Sequence, residues 1–364
     1  MRDWAQCYRN ITVPPAQAGP WEAWLSPASS DPWWDDFLRS TSCGQFQQSS
    51  PWAVYKSSAG WHHHRVVLTN TSGISGGFQI LWKQTRLGRI GYVSKGPVLA
   101  QETAEAAEAI LDLIHAAHQE LGLRALIVQP PDESRGLESQ FTRRGYLPNR
   151  IKDVVRATLL VNLSEGMARV TSGMSSTARL QVKQAQRRGT IIREGGAEDL
   201  GRFFAMMVTT CLRQETKPNP ATEAELRSLW DALQPLGIKL MIAQCHGEDV
   251  AGQLCILVGE RLTLWKKGWT GEHKDCQPNR LLNYAGLELA CALGCKYWDY
   301  AALDEGIASS LIAGSPLTEE QKKSRHLFHL GFGGEPRLVP ASCIWIENPI
   351  FRFGYAAAIK ALHR

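Results

Sequence analysis

The sequence predicts an α/β protein built as two modules in tandem, each a central mixed, largely antiparallel sheet flanked by helices. Two observations carry this prediction. The chain has 364 residues, long for one hydrophobic core and suited to two domains. The order meander, helix, strand also occurs twice, once within residues 54–128 and again within 238–300. No repeat with a period of about 20 to 50 residues accompanies it, so the duplication is one of order and not of a solenoid.

The elements follow in turn. Pro14, Pro15, Gly19 and Pro20 make the first segment irregular, and a helix over 33–40 starts at Ser30 or Asp31 with Pro32 in its first turn. Residues 54–57, 65–69, 76–83 and 89–93 read as antiparallel strands, with a turn at Asn70-Thr71-Ser72-Gly73. A helix over 102–121 carries Ala106, Ile110, Leu113, Ile114 and Ala117 on one face, stops at Gly122 and leads into a strand at 125–128. In the second half, 180–189, 197–213 and 222–236 read as helices, the last with Thr222 as cap and an acidic first turn. Strands at 238–244, 250–258 and 261–267 form a second meander, followed by a helix over 279–293 ending at Gly294 and a strand at 296–300. The modules are expected at 1–160 and 161–345, with a tail at 346–364 free to pack back on the first.

Composition excludes several classes. Hydrophobic residues at 44% and charged residues at 21% describe a globular protein, and no apolar run reaches the roughly 20 residues of a membrane span. Met1-Arg2-Asp3-Trp4 leads into no apolar signal region, so a cytoplasmic protein is expected. The nine cysteines, without a CxxC pair, are then read as thiols, mostly buried. His62, His63 and His64 alternate across a strand and cannot converge on an ion, so no metal site is expected. A net charge of +5 suits an anionic partner without identifying one.

Near the end stands Phe328-His329-Leu330-Gly331-Phe332-Gly333-Gly334-Glu335, an ionisable side chain between aromatics beside glycines that permit a sharp bend or close approach to a ligand. This segment resembles the closing FKxGFGG-like element of the Fem family, transferases that use aminoacyl-tRNA to extend peptidoglycan side chains. Further blocks support the resemblance. Trp34-Asp35-Asp36-Phe37 and Gln48-Ser49-Ser50-Pro51-Trp52-Ala53-Val54-Tyr55-Lys56 are similar to the family's WxxF and QSxxWxxxK, and Tyr92-Val93-Ser94-Lys95-Gly96-Pro97-Val98 to its YxPRGPV. The run from Arg179 to Gly189 resembles the RxxIRKAxKxG helix, and Thr210-Cys211-Leu212-Arg213 lies in a TxxR-like segment. Gly294 to Asp299 resembles a strand of the YDxxG type. The order meander, helix, strand, twice over, is that of two GNAT-like modules. No charged heptad run is present, so the armless type is implied.

The resemblance implies an acceptor side in the first module, a donor side in the second, and aminoacyl-tRNA as co-substrate without another cofactor. Lys56 and Arg213 are implied to bind acceptor phosphates or a carboxylate, with Trp52, Tyr92, Lys95, Trp265 and Asp299 also on the substrate. Arg179, Lys183 and Arg187, at i, i+4, i+8, are implied to face tRNA or another anionic donor. Phe328 and His329 are the implied catalytic pair, His329 standing where the family has lysine. Its imidazole can act as a cation, as a neutral base, or as a packed structural group. Trp265 either stacks on a ligand or packs in the core, and Lys266 and Lys267 are expected to be solvated. No GxSxG or Cys–His arrangement signals a covalent nucleophile, so direct attack by a bound amine is expected. The acceptor is a peptidoglycan precursor or another peptide-like or nucleotide-linked amine. The alternatives are an acyl-CoA or acyl-carrier N-acyltransferase, against which the absent Q/RxxGxG/A loop counts, and a non-catalytic binding scaffold.

Overall fold

A computed structural model describes residues 8–11, 21–26, 28–134, 136–149 and 155–361. The irregular segment with Pro14 to Pro20, and Cys7, lie outside the described residues. The described chain forms two compact units, 1–154 with 339–364, and 155–338.

The first unit holds β1 (Arg9–Ile11), β2 (Glu22–Ser26), α1 (Pro32–Ser40), α2 (Ser50–Ser58), β3 (His62–Asn70), β4 (Gly73–Thr85), β5 (Gly88–Ser94), β6 (Val98–Leu99), α3 (Ala104–Glu120), β7 (Leu123–Gln129), α4 (Leu137–Arg143) and β8 (Leu147–Pro148). Strands β1 to β5 pair as successive antiparallel neighbours, and α3 carries the chain over to β7, which pairs parallel with β5. The apolar stripe foreseen on α3, from Ala106 to Ala117, is buried against the sheet with Phe78, Ile80 and Val128. Residues 54–57, expected as a strand, belong instead to α2. The Ser49 hydroxyl accepts from Trp52 N at 3.2 Å and Pro51 sits in the first turn, so capping outweighs a short apolar run.

The second unit repeats the order. It holds β9 (Ala157–Asn162), α5 (Gly166–Gly173), α6 (Ser176–Arg187), β10 (Ile191–Gly195), α7 (Leu200–Arg213), α8 (Glu223–Leu233), β11 (Ile238–Cys245), β12 (Glu248–Val258), β13 (Arg261–Trp269), α9 (Pro278–Ala292), β14 (Tyr297–Asp299), α10 (Glu305–Ile312), α11 (Glu319–Lys322), α12 (Leu327–Leu330) and β15 (Glu335–Leu338). Strands β10 to β13 are antiparallel, and α9 leads to β14, parallel to β13, as β7 is to β5. Thr222 caps α8, accepting from Glu225 N at 3.1 Å.

A cut at residue 160 would fall inside β9, which pairs with β14 on one side and β15 on the other; the division lies at 154/155. The second unit ends at Leu338, not at 345. Residues from Val339 onward return to the first unit, where β16 (Cys343–Ile346) pairs with β7 and β8 and α13 (Pro349–Ala361) follows. Backbone pairing, which leaves little trace in local composition, decides both boundaries.

Candidate active site

In the second unit the meander opens into a cavity of about 710 Å³. Its wall comes from three places: the end of α7, strand β13, and the segment from the loop before α9 through α12. A β-bulge in the β12–β13 pairing leaves Trp265 without a register partner, since Leu254 lies opposite Lys266 and Cys255 opposite Leu264. The bulge breaks strict alternation, so Trp265, Lys266 and Lys267 all line the cavity.

The lining is chemically one-sided. It includes Arg213, Lys266, Lys267, Lys274, Arg280 and Arg325 with the aromatics Trp265, Trp269, Tyr300 and Phe328, and no carboxylate among the described residues. Phe328 is the hub: the Arg280 guanidinium lies 4.0 Å from its ring centroid and the Lys267 ammonium 4.9 Å. Arg280 also donates to the Phe328 carbonyl at 3.0 Å. Burial, with Arg280 nearby, pushes the Lys267 pKa down to about 7. Lys267, expected at the solvated surface, is therefore a pocket residue whose charge is desolvated.

His329 lies on α12 with its ring 4.4 Å from that of Tyr300 and 5.3 Å from that of Phe328. Burial, followed by the charges of Lys267, His326, Arg280 and Arg325, holds its pKa well below the ordinary imidazole value. Of the roles open in the sequence, the permanent cation is thus disfavoured. Its Nδ1 is buried with no hydrogen-bond partner among the described residues. The glycines after it serve the chain's bend: Phe332 is fully buried, Gly333 and Gly334 take φ of 81° and 103°, and β15 follows.

The other sequence candidates divide. Arg213 and Trp265 line the cavity with Phe328 and His329. Arg213 reaches the Trp269 carbonyl at 2.7 Å and lies 4.8 Å from the Trp269 ring, held at the rim. Asp299 is absent from this wall. It is buried in β14, accepting from the Thr158 hydroxyl, from Ala301 N at 2.8 Å and from Arg261 at 3.4 Å, which makes it an organiser of the sheet. Arg179 is turned onto the end of α5, donating to the carbonyls of Thr171 and Ser172 at 3.3 Å each and to that of Met174. Lys183 and Arg187 remain exposed on α6, so the expected three-cation face is reduced to two.

In the first unit, α2 presents Lys56 with its ammonium 5.0 Å from the Trp52 ring and 5.3 Å from that of Tyr55. Trp52 is buried against Phe46 at 5.1 Å between centroids, a packing role beneath Lys56. Tyr92 is half-buried in β5. Lys95 is buried and paired with Asp132, to which Gln45 also donates at 2.6 Å, so its charge is engaged inside the protein and not offered to a substrate. Much of the motif around Lys56 is structural. The Asp35 carboxylate accepts from Ser50 N at 2.8 Å, and Gln48 donates to the Ser94 carbonyl at 2.7 Å and accepts from Gln79 N at 2.8 Å. A Cβ on Gly96 would stand 2.7 Å from the Gln48 amide carbon, which explains a glycine there.

The residues missed by sequence reasoning are Lys267 as a pocket group, Arg280, Tyr300 and Trp269. Aromatic and basic residues close together in Trp265-Lys266-Lys267-Gly268-Trp269 were the available signal, and all five line the cavity.

Two modules of this order in one chain, the second with a cavity at its meander, define a tandem GNAT-like fold. Residues 172–306 match the acetyltransferase (GNAT) domain family and residues 30–141 match the FemAB family. The crystal structure of FemX shares the fold with a TM-score of 0.73 at 17% identity, covering 88% of this chain and 96% of that one. A tandem GNAT protein from the clavulanic acid biosynthesis pathway aligns with a TM-score of 0.54 at 12% identity, covering 90% and 99%. Over 188 residues the chain is 25% identical to the lipid II:glycine glycyltransferase of Staphylococcus aureus strain MRSA252. That match covers 48% of this chain and 45% of the relative, so it spans under half the length of the curated relatives. Among the described residues no helix is long and apolar enough to cross a membrane.

Proposed function

We propose that the protein is an N-acyltransferase of the Fem type, moving an aminoacyl group from aminoacyl-tRNA to an amine of a peptidoglycan precursor or another peptide-like acceptor. The observation that carries this reading is the one-sided cavity: six basic side chains with four aromatics and no carboxylate among the described lining residues. Such a wall suits a polyanion that ends in a stackable base, as the 3′ end of tRNA does. The chemistry is direct attack. The acceptor nitrogen bonds to the ester carbonyl carbon, the bond to the ribose oxygen breaks, and the proton lost by the amine ends on the released hydroxyl. The developing oxyanion needs positive charge held out of water. The family places a lysine next to the closing phenylalanine; here the cations across Phe328, Lys267 and Arg280, take that task, and His329, held neutral, serves as proton acceptor or relay. Lys56 in the first unit serves the acceptor's phosphate or carboxylate as a point charge.

The match of residues 172–306 to an acetyltransferase domain favours a second reading, an acyl-CoA donor in the same cavity. One assay separates them. The protein is incubated with charged tRNA pools or acyl-CoAs and with candidate amines, with and without ribonuclease. Product that ribonuclease abolishes supports the aminoacyl-tRNA reading; product that requires CoA thioester and survives ribonuclease overturns it.

A further inference from the structure

Beside the cavity, and outside the chemistry described so far, the turn between β11 and β12 meets the loop that leads into α9. There a ring nitrogen of His246, a ring nitrogen of His273 and Sγ of Cys276 all lie within 4.8 Å of one another. The Cys276 Sγ and His246 Nε2 are 3.5 Å apart and the two imidazole centroids 5.5 Å. Glu248 Oε2 approaches His273 Nε2 to 3.4 Å, and the donor atoms of Glu248, Glu272 and His273 are likewise within 4.8 Å of one another. The three core donors come from two separate loops. His246 is exposed, His273 half-buried and Cys276 buried, so the sulfur forms the floor and the imidazoles the sides of an accessible nest.

We propose that His246, His273 and Cys276 bind one zinc ion. The donor set is the argument for the metal. Two imidazoles and one thiolate suit a borderline-soft ion that prefers a tetrahedron, with the fourth position left to water. Bonds of about 2.0 to 2.3 Å in that geometry place donors roughly 3.3 to 3.8 Å apart, and Cys276 Sγ and His246 Nε2 already stand 3.5 Å apart. His246 and His273 both hold left-handed backbone, φ of 54° and 51°, uncommon for residues other than glycine. Both lie in the turns that bring the two loops together.

The position gives the ion its role. The loop from His273 continues through Lys274, Gln277 and Pro278, all of which line the cavity. Zinc at this point ties the cavity wall to the β11–β12 turn and fixes the start of α9. It takes no part in the transfer step, and the proposal holds whichever acyl donor the cavity receives.

The test reads metal, not activity. The full chain, freed of any histidine tag, is stripped with chelator, reconstituted with zinc chloride and desalted, and zinc is counted by elemental analysis. One zinc per chain is expected. His246→Gln and His273→Gln should each weaken binding by about tenfold or more, while His62→Gln leaves it unchanged. Cobalt(II) in place of zinc should give a thiolate-to-cobalt charge-transfer band that Cys276→Ser removes. Because Cys276 is buried, its variant is read beside His246→Gln, whose exposed position spares the fold, with far-UV circular dichroism as the check. Failure to retain zinc in the wild-type chain, or occupancy unaffected by both histidine variants, overturns the proposal.

Discussion

Arg65 in the first unit and Lys267 in the second both carry a basic group into the interior, yet they meet opposite surroundings. Arg65 is fully buried and every side of its guanidinium is answered: Gln79 Oε1 accepts at 2.7 and 3.1 Å, Asp31 and Ser26 at 3.3 Å, and the Ala28 carbonyl at 3.2 Å. Asp31 is itself held by Tyr8 at 2.5 Å and Ser26 at 2.6 Å. Lys267 has an aromatic face, the like charge of Arg280 and a half-buried histidine around it, and no carboxylate lines its cavity among the described residues. A charge satisfied from within builds a fold. A desolvated charge left uncompensated costs stability, and its surroundings favour an anionic ligand.

This contrast can be broken at either end. The largest effect is expected from Arg65→Ala, which strands Asp31 in the interior and should cost about 3–5 kcal/mol in urea unfolding; a loss under about 1 kcal/mol would make the network as weak as a surface pair. Lys267→Met should act in the opposite sense. It removes an uncompensated cation, so its unfolding midpoint at pH 7 should equal or exceed that of the wild type, while kcat/KM for transfer falls on the order of 10²-fold.

The pH dependence sharpens the same point. Lys267 has its folded-state pKa lowered to about 7 while the unfolded chain keeps about 10.4. Between those values the unfolded state binds more protons, so this group's contribution to stability rises with pH across the window. The stability gap between Lys267→Met and wild type should therefore close as pH is raised to about 10. Transfer that uses the Lys267 cation should decline as pH rises through about 7, and Lys267→Arg should remove that decline, because a guanidinium stays charged. His329, with its pKa lowered, should cost the fold stability only below about pH 6.5, where the unfolded imidazole takes up a proton first.

His329→Ala should lower turnover about tenfold or more and His329→Lys less; equal rates in both variants and wild type would reduce the residue to packing. The smallest effect is assigned to Arg179→Ala. Its bonds to the end of α5 should be worth about 1 kcal/mol of stability, and the salt dependence of RNA binding should be unaltered, in contrast to Lys183→Ala and Arg187→Ala.

Much of the fold was legible in the chain. The stripe on α3, the Thr222 cap, the second meander and the glycine stops after α3 and α9 are local patterns, and local patterns survive without knowledge of distant residues. The family motifs were legible too, but not the work of each letter in them. Asp35, Gln48 and Ser50 belong to a polar core, Lys95 to an ion pair with Asp132, and Asp299 to the joint between β14 and its neighbours. A buried, paired carboxylate and a substrate-binding one are spelled alike.

From the order of residues alone came the duplication, the family blocks, Arg213, Trp265 and Phe328 as candidates and the unusual His329, because periodicity, capping and side-chain chemistry are written locally. Tertiary structure alone decided which ingredients face one another. Strand β13 brought Lys267 to the cavity wall, the Phe328 hub gathered cations from β13 and α9, and β16 returned residues from Val339 to the first unit. Each of these depends on contacts between segments far apart in the chain, and burial, which sets charge and pKa, exists only once those segments have met.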